Sequence, residues 1–186
     1  MSVHASAMAA LADWQAPDAG QDALRHAVLA FLLARPDGCE RACVPGHITA
    51  STLVVSEEGE ALLTLHPRFG RWLQLGGHCE AGDTDIVAAA LREACEESGI
   101  EGLRIDPDLA AIHVHPVTCS LGVPTRHLDL QFVARAPAGA AYTVSEESVD
   151  LRWFPLDALP DGTDAGLRQL VGAAKRRWSS GSRSRG

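Results

Sequence analysis

The segment from Gly76 to Ile100 constrains the fold of this chain most, because it contains a helix, its two boundary signals and a crowd of acidic side chains. We predict a helix over 84–98, with Asp83 as its N-cap and Gly99 at its C-terminal end. Residues three or four positions apart share one face of a helix. The face expected to pack against the core is formed by Val87, Leu91 and Ala94.

Three carboxylates, those of Glu93, Glu96 and Glu97, lie on a neighbouring side of the last two turns. Glu93 and Glu97 form an i, i+4 pair of like charges, which costs a few tenths of a kcal/mol. The helix dipole disfavours each anion near the C-terminus by about 0.3–1 kcal/mol. A solvated acidic face is one interpretation, and a site for a divalent cation with oxygen ligands is the other.

Three glycines precede this helix, and they widen the choice of backbone conformations there. Gly76, Gly77 and Gly82 allow a tight loop that folds back against the helix. Such a loop can offer a backbone carbonyl as a further oxygen ligand. An ordinary strand-to-helix turn would explain the glycines equally well.

Together these residues resemble the Nudix box, in which a glycine, five residues, a glutamate and seven residues precede Arg-Glu-apolar-x-Glu-Glu-x-Gly-apolar. The second half is matched in full from Arg92 to Ile100. In the first half, Asp83 stands where the family has glutamate, and eight residues instead of seven separate it from Arg92. The extra residue lies where the loop enters the helix.

The rest of the chain is consistent with the fold that this resemblance implies. Residues 5–35 have helical spacing with a break at 16–20, and short β-branched runs begin at His47. The predicted strands are Ile48–Val55, Ala61–Leu65, Trp72–Leu75, Ala110–His115, Leu128–Ala134 and Val149–Phe154, and a closing helix spans Asp164–Trp178. We therefore expect an α/β protein, a Nudix-type α/β/α sandwich with a mixed sheet over 47–178. A helical extension over 1–46 precedes it, and a disordered tail over 179–186 follows.

The resemblance implies an enzyme that hydrolyses the pyrophosphate linkage of a nucleoside diphosphate derivative, such as a nucleotide sugar, a dinucleotide or an NTP-like molecule. Water would attack phosphorus, with Mg²⁺ or Mn²⁺ as the cofactor. Carried over by position, Glu93, Glu96, Glu97 and the Gly76 carbonyl are the implied metal ligands. Arg92 would orient a glutamate, with Glu93 as the candidate.

The general base is less well defined by the resemblance. Glu93 is the first choice, and Glu146 or Glu147 on a later loop are alternatives as base or metal ligand. A solvated loop explains those two residues equally well. The alternative function is a catalytically silent ligand-sensing or interaction module with this fold, against which the intact glutamates argue.

Weaker candidates lie outside the motif. We predict that Arg68, Arg71 and His78 contact substrate, although surface solubility explains the two arginines as well. His115 and His127 are interpreted as core or edge histidines with satisfied hydrogen bonds. The even spacing of Cys39, Cys43 and His47 suggests zinc only weakly, since it fits no common finger.

Charge and composition limit the partners. The net charge of −8 predicts no electrostatic attraction to nucleic acid, and no apolar run reaches the roughly 18 residues of a membrane span. Five cysteines and no secretory leader predict reduced thiols and a cytoplasmic protein. The expected partner is a small-molecule diphosphate, and a homodimer is left open.

Overall fold

A computed structural model describes residues 1–118, 122–145 and 148–182 of the chain. Within these ranges, seven strands form one mixed sheet, and four helices accompany it. The helices are α1 (Val3–Asp13), α2 (Ala19–Ala34), α3 (Ile86–Ser98) and α4 (Ala165–Ser182). The strands are β1 (His47–Val55), β2 (Glu60–His66), β3 (Arg71–Leu73), β4 (Leu75–His78), β5 (Arg104–Thr118), β6 (Pro124–Arg135) and β7 (Asp150–Pro155).

The sheet is built around β1, which pairs with three other strands. The strand order is β3-β2-β1-β6-β5, and in addition β4 pairs with β1 and β7 pairs with β2. The pairing of β1 with β6 is parallel, whereas all other pairings are antiparallel. The expected mixed sheet is confirmed.

Helices cover both faces of this sheet, as expected for an α/β/α sandwich. Side chains of β1 alternate between the two faces, because successive residues of a strand point in opposite directions. Ile48 and Ala50 join a core cluster with α1, α2 and α3, whereas Leu53 and Val55 pack in a cluster with α4. Thr49 and Ser51 lie on the same face of β1 as Leu53 and Val55 and are also buried. Their polar side chains line a cavity on that face.

The N-terminal helices pack directly on the sandwich, and the predicted break between them is present. Ala7 and Leu11 of α1 and Val28 of α2 are fully buried in the cluster that contains α3. The buried Gln21 side chain exchanges two hydrogen bonds with the backbone of Ile112, at 2.9 and 2.7 Å. The helical extension therefore completes one layer of the core.

The start of α3 differs from the prediction. The N-cap is Asp85, which accepts from the Ala88 N–H at 2.8 Å, and Ser6 Oγ of α1 accepts from the Ile86 N–H at 2.8 Å. Asp83 was expected as the cap, but its carboxylate instead binds Arg92 and the Glu80 N–H. The predicted end is confirmed, since Gly99 adopts φ 66° and donates to the Cys95 carbonyl.

The buried face of α3 is also rotated from the predicted one. Ile86, Ala90, Ala94 and Glu97 lie on the buried side, whereas Val87 and Leu91 are only half-buried. Small alanines allow the helix to approach the sheet closely at these positions. Glu97 is consequently carried into the protein.

Two further boundaries were wrong. Gly76 and Gly77 were expected in a loop, but they lie in β4 and pair with Ser51 and Ala50 of β1. The closing helix continues to Ser182, so residues 179–182 of the predicted disordered tail are helical, because no proline or cap ends the helix at 178. Residues 183–186 lie outside the described part. In the described ranges, no helix combines the length and the hydrophobicity of a membrane span.

Candidate active site

A cavity of about 400 Å³ opens where α3, β4, β1 and β6 meet. Its charged lining is predominantly acidic: the carboxylates are those of Glu80, Glu93, Glu96, Glu97 and Asp129, and the cationic side chains are those of Arg41, Arg68 and Arg92. The structure thus brings the three predicted glutamates to a single concave surface. An anionic ligand would meet a negative field in this cavity unless a cation were also bound.

Glu97 is the most buried of the three glutamates, with 7% of its surface exposed. The Gly76 N–H donates to Glu97 Oε2 at 3.0 Å, which ties the end of α3 to β4. A side chain at Gly76 would prevent this approach, because its Cβ would lie 2.4 Å from the Ser51 Cβ. Gly76 also has a φ of +150°, which L side chains rarely adopt.

Glu93 packs against the second glycine of β4. Its side chain is 12% exposed, and its Oε1 accepts from Arg92 Nη1 at 3.1 Å. A Cβ added to Gly77 would lie 2.7 Å from Cδ and from both carboxylate oxygens of Glu93. The missing side chain at Gly77 therefore creates the space in which the Glu93 carboxylate lies.

Arg92 connects the acidic groups of the motif. Its guanidinium donates to both carboxylate oxygens of Asp83, at 2.9 and 3.1 Å, and Nη2 donates to the His78 carbonyl at 2.9 Å. Nη1 donates to Glu96 Oε2 at 2.9 Å as well as to Glu93. The planar five-donor geometry of arginine allows this set of contacts.

The same contacts shift the pKa values of this pair. The hydrogen bond from Arg92 and the one from the Glu80 N–H lower the pKa of Asp83, although burial by itself would raise it. The hydrogen bond to Asp83 raises the pKa of Arg92, against the effect of desolvation. Asp83, which stands where the Nudix box has glutamate, therefore binds Arg92 as a charged carboxylate.

Asp129 is a buried carboxylate in the cavity wall to which the sequence analysis assigned no role. Its exposure is 4%, and its two oxygens accept from four side chains. These donors are Thr49 at 3.0 Å, Ser51 at 2.7 Å, Gln131 at 2.9 Å and Gln74 at 3.3 Å. Polar residues at alternating positions of β1 were the available signal, since buried strand positions are usually apolar.

Four histidines extend this polar surface along the sheet. The rings of His47, His78 and His127 lie 5.0–5.1 Å apart between centroids, and His115 lies 5.3 Å from His127. Burial, followed by the proximity of His78, lowers the pKa of His127 to about 3. Burial, followed by the charge of Arg41, lowers that of His78 to about 4.

The expectation that His115 and His127 are satisfied core histidines is wrong. Within the described residues, His115 Nδ1, His127 Nε2 and His47 Nε2 are buried without a hydrogen-bond partner. Their environment is a histidine cluster beside a cavity, in which neighbouring rings cannot all supply donors. Cys39 and Cys43 do not join His47 in a metal-competent group of the described residues, which instead consists of His47, His78 and His127.

Of the candidate residues outside the motif, some line the cavity and others do not. Arg68 lines the cavity and donates to the Thr118 carbonyl at 2.9 Å. Arg71 instead forms an ion pair with Asp164 at 3.7 Å and lies over the Phe69 ring. Arg41 lines the cavity but carries no sequence signal. Glu146 and Glu147 lie outside the described residues.

The layered fold and the acidic helix beside a glycine strand define a hydrolase of the Nudix type, as the motif predicted. The NUDIX domain family model matches residues 45–173, well over half of the chain. The chain therefore belongs to the NUDIX domain family. A search of curated proteins finds no match.

Three solved structures illustrate the similarity. A binary complex of a C. elegans Ap4A hydrolase matches with a TM-score of 0.56 and 23% identity, over 72% of this chain and 98% of that one. A MutT NUDIX hydrolase from Burkholderia pseudomallei matches with a TM-score of 0.51 and 25% identity, over 69% and 97%. A UDP-X diphosphatase matches with a TM-score of 0.55 and 16% identity over 94% and 93%, so the alignment extends into the N-terminal helices.

Proposed function

We propose that this protein hydrolyses the pyrophosphate linkage of a nucleoside diphosphate derivative and requires Mg²⁺ or Mn²⁺. The observation that carries this proposal is the placement of Glu93, Glu96 and Glu97 on one wall of the cavity. One relative is named for Ap4A and another for UDP-X, which supports nucleotides with linked phosphates as the substrate class.

The donors in the cavity suit a hard divalent cation. The carboxylates of Glu93 and Glu97 are largely buried, and that of Glu96 is 60% exposed. Arg92 pairs with Glu93 and Glu96. Buried carboxylates at such density repel one another, and oxygen-bound Mg²⁺ would compensate that repulsion. Glu93, Glu96 and Glu97 would hold the ion, and we retain the Gly76 carbonyl as the further ligand.

The bound ion would neutralise phosphate charge and acidify water. Glu93 is proposed as the base that takes a proton from the attacking water, because its carboxylate is held by Arg92 and faces the cavity. Arg92 positions Glu93 and Glu96 through Nη1, and Asp83 holds the guanidinium from the opposite side. Arg92 therefore acts by orienting other groups.

The same cavity also contains cationic side chains that can bind the substrate. Arg68 and Arg41 line it, and we propose that they contact phosphate oxygens. His78, the other predicted substrate contact, lines the same cavity as a neutral ring. Arg71 is assigned a weaker role, because it is paired with Asp164. The volume of about 400 Å³ lies in the range of small-molecule sites.

Hydrolysis of ADP-ribose, a nucleotide sugar and a dinucleoside polyphosphate, measured with and without Mg²⁺ or Mn²⁺, tests this proposal. We expect metal-dependent turnover by the wild type and a loss of at least about 100-fold in Glu97→Gln, since charged catalytic groups contribute on this scale. Glu58→Gln is the matched control, because Glu58 is exposed in the turn between β1 and β2. Activity in Glu97→Gln equal to that of an active wild type would contradict the proposed role of Glu97, whereas no turnover by either protein would favour the silent module.

Three further expectations remain proposals. A cytoplasmic location is supported by Cys39, Cys43, Cys79 and Cys95, which are free thiols. The net charge of −8 supports a small-molecule partner in preference to nucleic acid. A homodimer is still a prediction of the resemblance alone.

A further inference from the structure

Three histidines from three adjacent strands converge at one end of the cavity. His47 on β1 is the register partner of His127 on β6, and His78 on β4 pairs with Thr49, two residues along β1. One ligand atom of each ring lies within 4.8 Å of those of the other two. These residues are separate in sequence, and none of them is among the proposed carboxylate ligands.

The hydrogen bonding of His47 prepares it as a ligand. Its Nδ1 lies 3.3 Å from the Cys43 carbonyl, a contact that requires the proton on Nδ1 and leaves the lone pair on Nε2. Metal-binding histidines commonly donate their other ring nitrogen to a backbone carbonyl in this way. The side chain is buried, with 1% of the residue exposed, and within the described residues Nε2 has no partner.

A second buried ring nitrogen, on His127, also favours a role as a metal ligand. His127 Nε2 also lacks a hydrogen-bond partner in the described part of the chain. Leaving buried polar atoms unpaired is costly, so an orphan nitrogen on each of two neighbouring rings needs an explanation. A cation between the rings would bind His47 Nε2, and also His127 Nε2 in the tautomer that carries its proton on Nδ1.

The ring spacing matches a tetrahedral ion. A zinc–nitrogen bond of about 2.1 Å plus about 1.1 Å to the ring centre places ring centroids about 5.2 Å apart around such an ion. The three observed separations are 5.1, 5.0 and 5.0 Å. Ligand nitrogens in such a site lie about 3.4 Å apart, within the 4.8 Å bound on the three ligand atoms here, so rotation of the rings would complete it.

We propose that His47, His78 and His127 form a site for a borderline divalent cation, Zn²⁺ foremost, distinct from the carboxylate site for Mg²⁺ or Mn²⁺. Imidazole nitrogen suits zinc, whereas Mg²⁺ prefers oxygen. Three protein ligands leave the fourth tetrahedral position to water from the cavity, which His78 and His127 line. The charge of Arg41, which also lines this cavity, lowers the affinity for the cation.

Titration of the full-length protein with Co²⁺ tests this site, because tetrahedral Co²⁺ absorbs strongly in the visible range. Millimolar Mg²⁺ is present throughout to occupy the carboxylates, and Zn²⁺ is then used to displace the cobalt. We expect one equivalent of tetrahedral Co²⁺. His127→Gln and His78→Gln should each weaken binding by at least about tenfold, since even groups that only support a ligand contribute 10–100-fold.

The controls separate the two metal sites. His66→Gln changes a histidine of the same cavity that packs on Phe69, outside the trio, and should bind Co²⁺ like the wild type. Glu97→Gln should also retain the cobalt spectrum. A wild type without a tetrahedral spectrum would overturn the proposal. So would His variants that bind normally, or loss of binding in Glu97→Gln. Because His78 is only half-buried, its variant tests the site even if His127→Gln fails to fold.

Discussion

Replacement of Gly77 by alanine should displace the Glu93 carboxylate while leaving the stability of the fold nearly unchanged. The added Cβ would lie 2.7 Å from both Glu93 oxygens, whereas ordinary contacts of this kind are 3.4–4 Å. The carboxylate must therefore move by about 0.7 Å or more, away from its place beside Arg92. The backbone of β4 need not move, because the obstructing atoms are the end of a flexible side chain.

The expected magnitudes differ for stability and activity. A displaced Glu93 rotamer costs about 0.5–1.5 kcal/mol, and replacing a strand glycine by alanine returns about 0.5–1 kcal/mol. The free energy of unfolding should thus change by less than about 1 kcal/mol. A misplacement approaching 1 Å costs up to about 100-fold in rate, so we expect hydrolysis to fall by about 10–100-fold.

The assay is metal-dependent hydrolysis of the best substrate in the panel, together with thermal unfolding. Gly82→Ala is the matched control, because nothing lies within 4 Å of a Cβ at that position, and it should retain full activity. Gly77→Ala should add little to Glu93→Gln, since both act through the same carboxylate. Wild-type activity with an unchanged Mg²⁺ dependence in Gly77→Ala would refute this reasoning.

Three further predictions concern other parts of the structure. Arg92→Lys removes the two-oxygen contact with Asp83, so we expect the hydrolysis rate to fall by about 10–100-fold. Gln21→Ala leaves the buried N–H and carbonyl of Ile112 without their hydrogen-bond partner. We therefore expect chemical denaturation to show a free energy of unfolding that is lower by about 1–3 kcal/mol per group. In metal-free protein, the lowered pKa of His127 means that the unfolded state binds more protons below about pH 6.5. Stability should therefore decrease as the pH falls from about 6.5 towards 4, by about 1 kcal/mol after allowance for partial exposure, and His127→Gln should weaken this dependence.

Each of these variants has a matched control outside the contacts that it tests. Arg25→Lys changes an arginine that pairs with Asp22, Gln15→Ala changes an exposed glutamine, and His26→Gln changes an exposed histidine. All three should resemble the wild type in the corresponding assay. Full activity in Arg92→Lys would contradict its positioning role, and an unchanged denaturation curve in Gln21→Ala would contradict the stabilising role of its two hydrogen bonds with Ile112. A pH profile equal to that of the wild type in His127→Gln would contradict the buried, neutral ring.

Local patterns in the sequence determined much of α3. The stop at Gly99 and the common side of Glu93 and Glu96 depend on contacts within a few residues, which spacing along a helix describes well. The match from Arg92 to Ile100 identified the family, and the alternation of short strands and helices indicated the layered fold. The break between α1 and α2 was visible for the same local reason.

Long-range packing decided the rest, because pairing register and side-chain burial depend on residues far apart in the chain. Asp83 could serve as a helix cap or as the partner of Arg92, and only the folded loop selects Arg92 while Asp85 caps the helix. Glu97 is buried because β4 brings the Gly76 N–H to it. The histidine cluster exists only because β1 and β6 run parallel in one particular register, and a shift by one residue would turn its side chains to the opposite face.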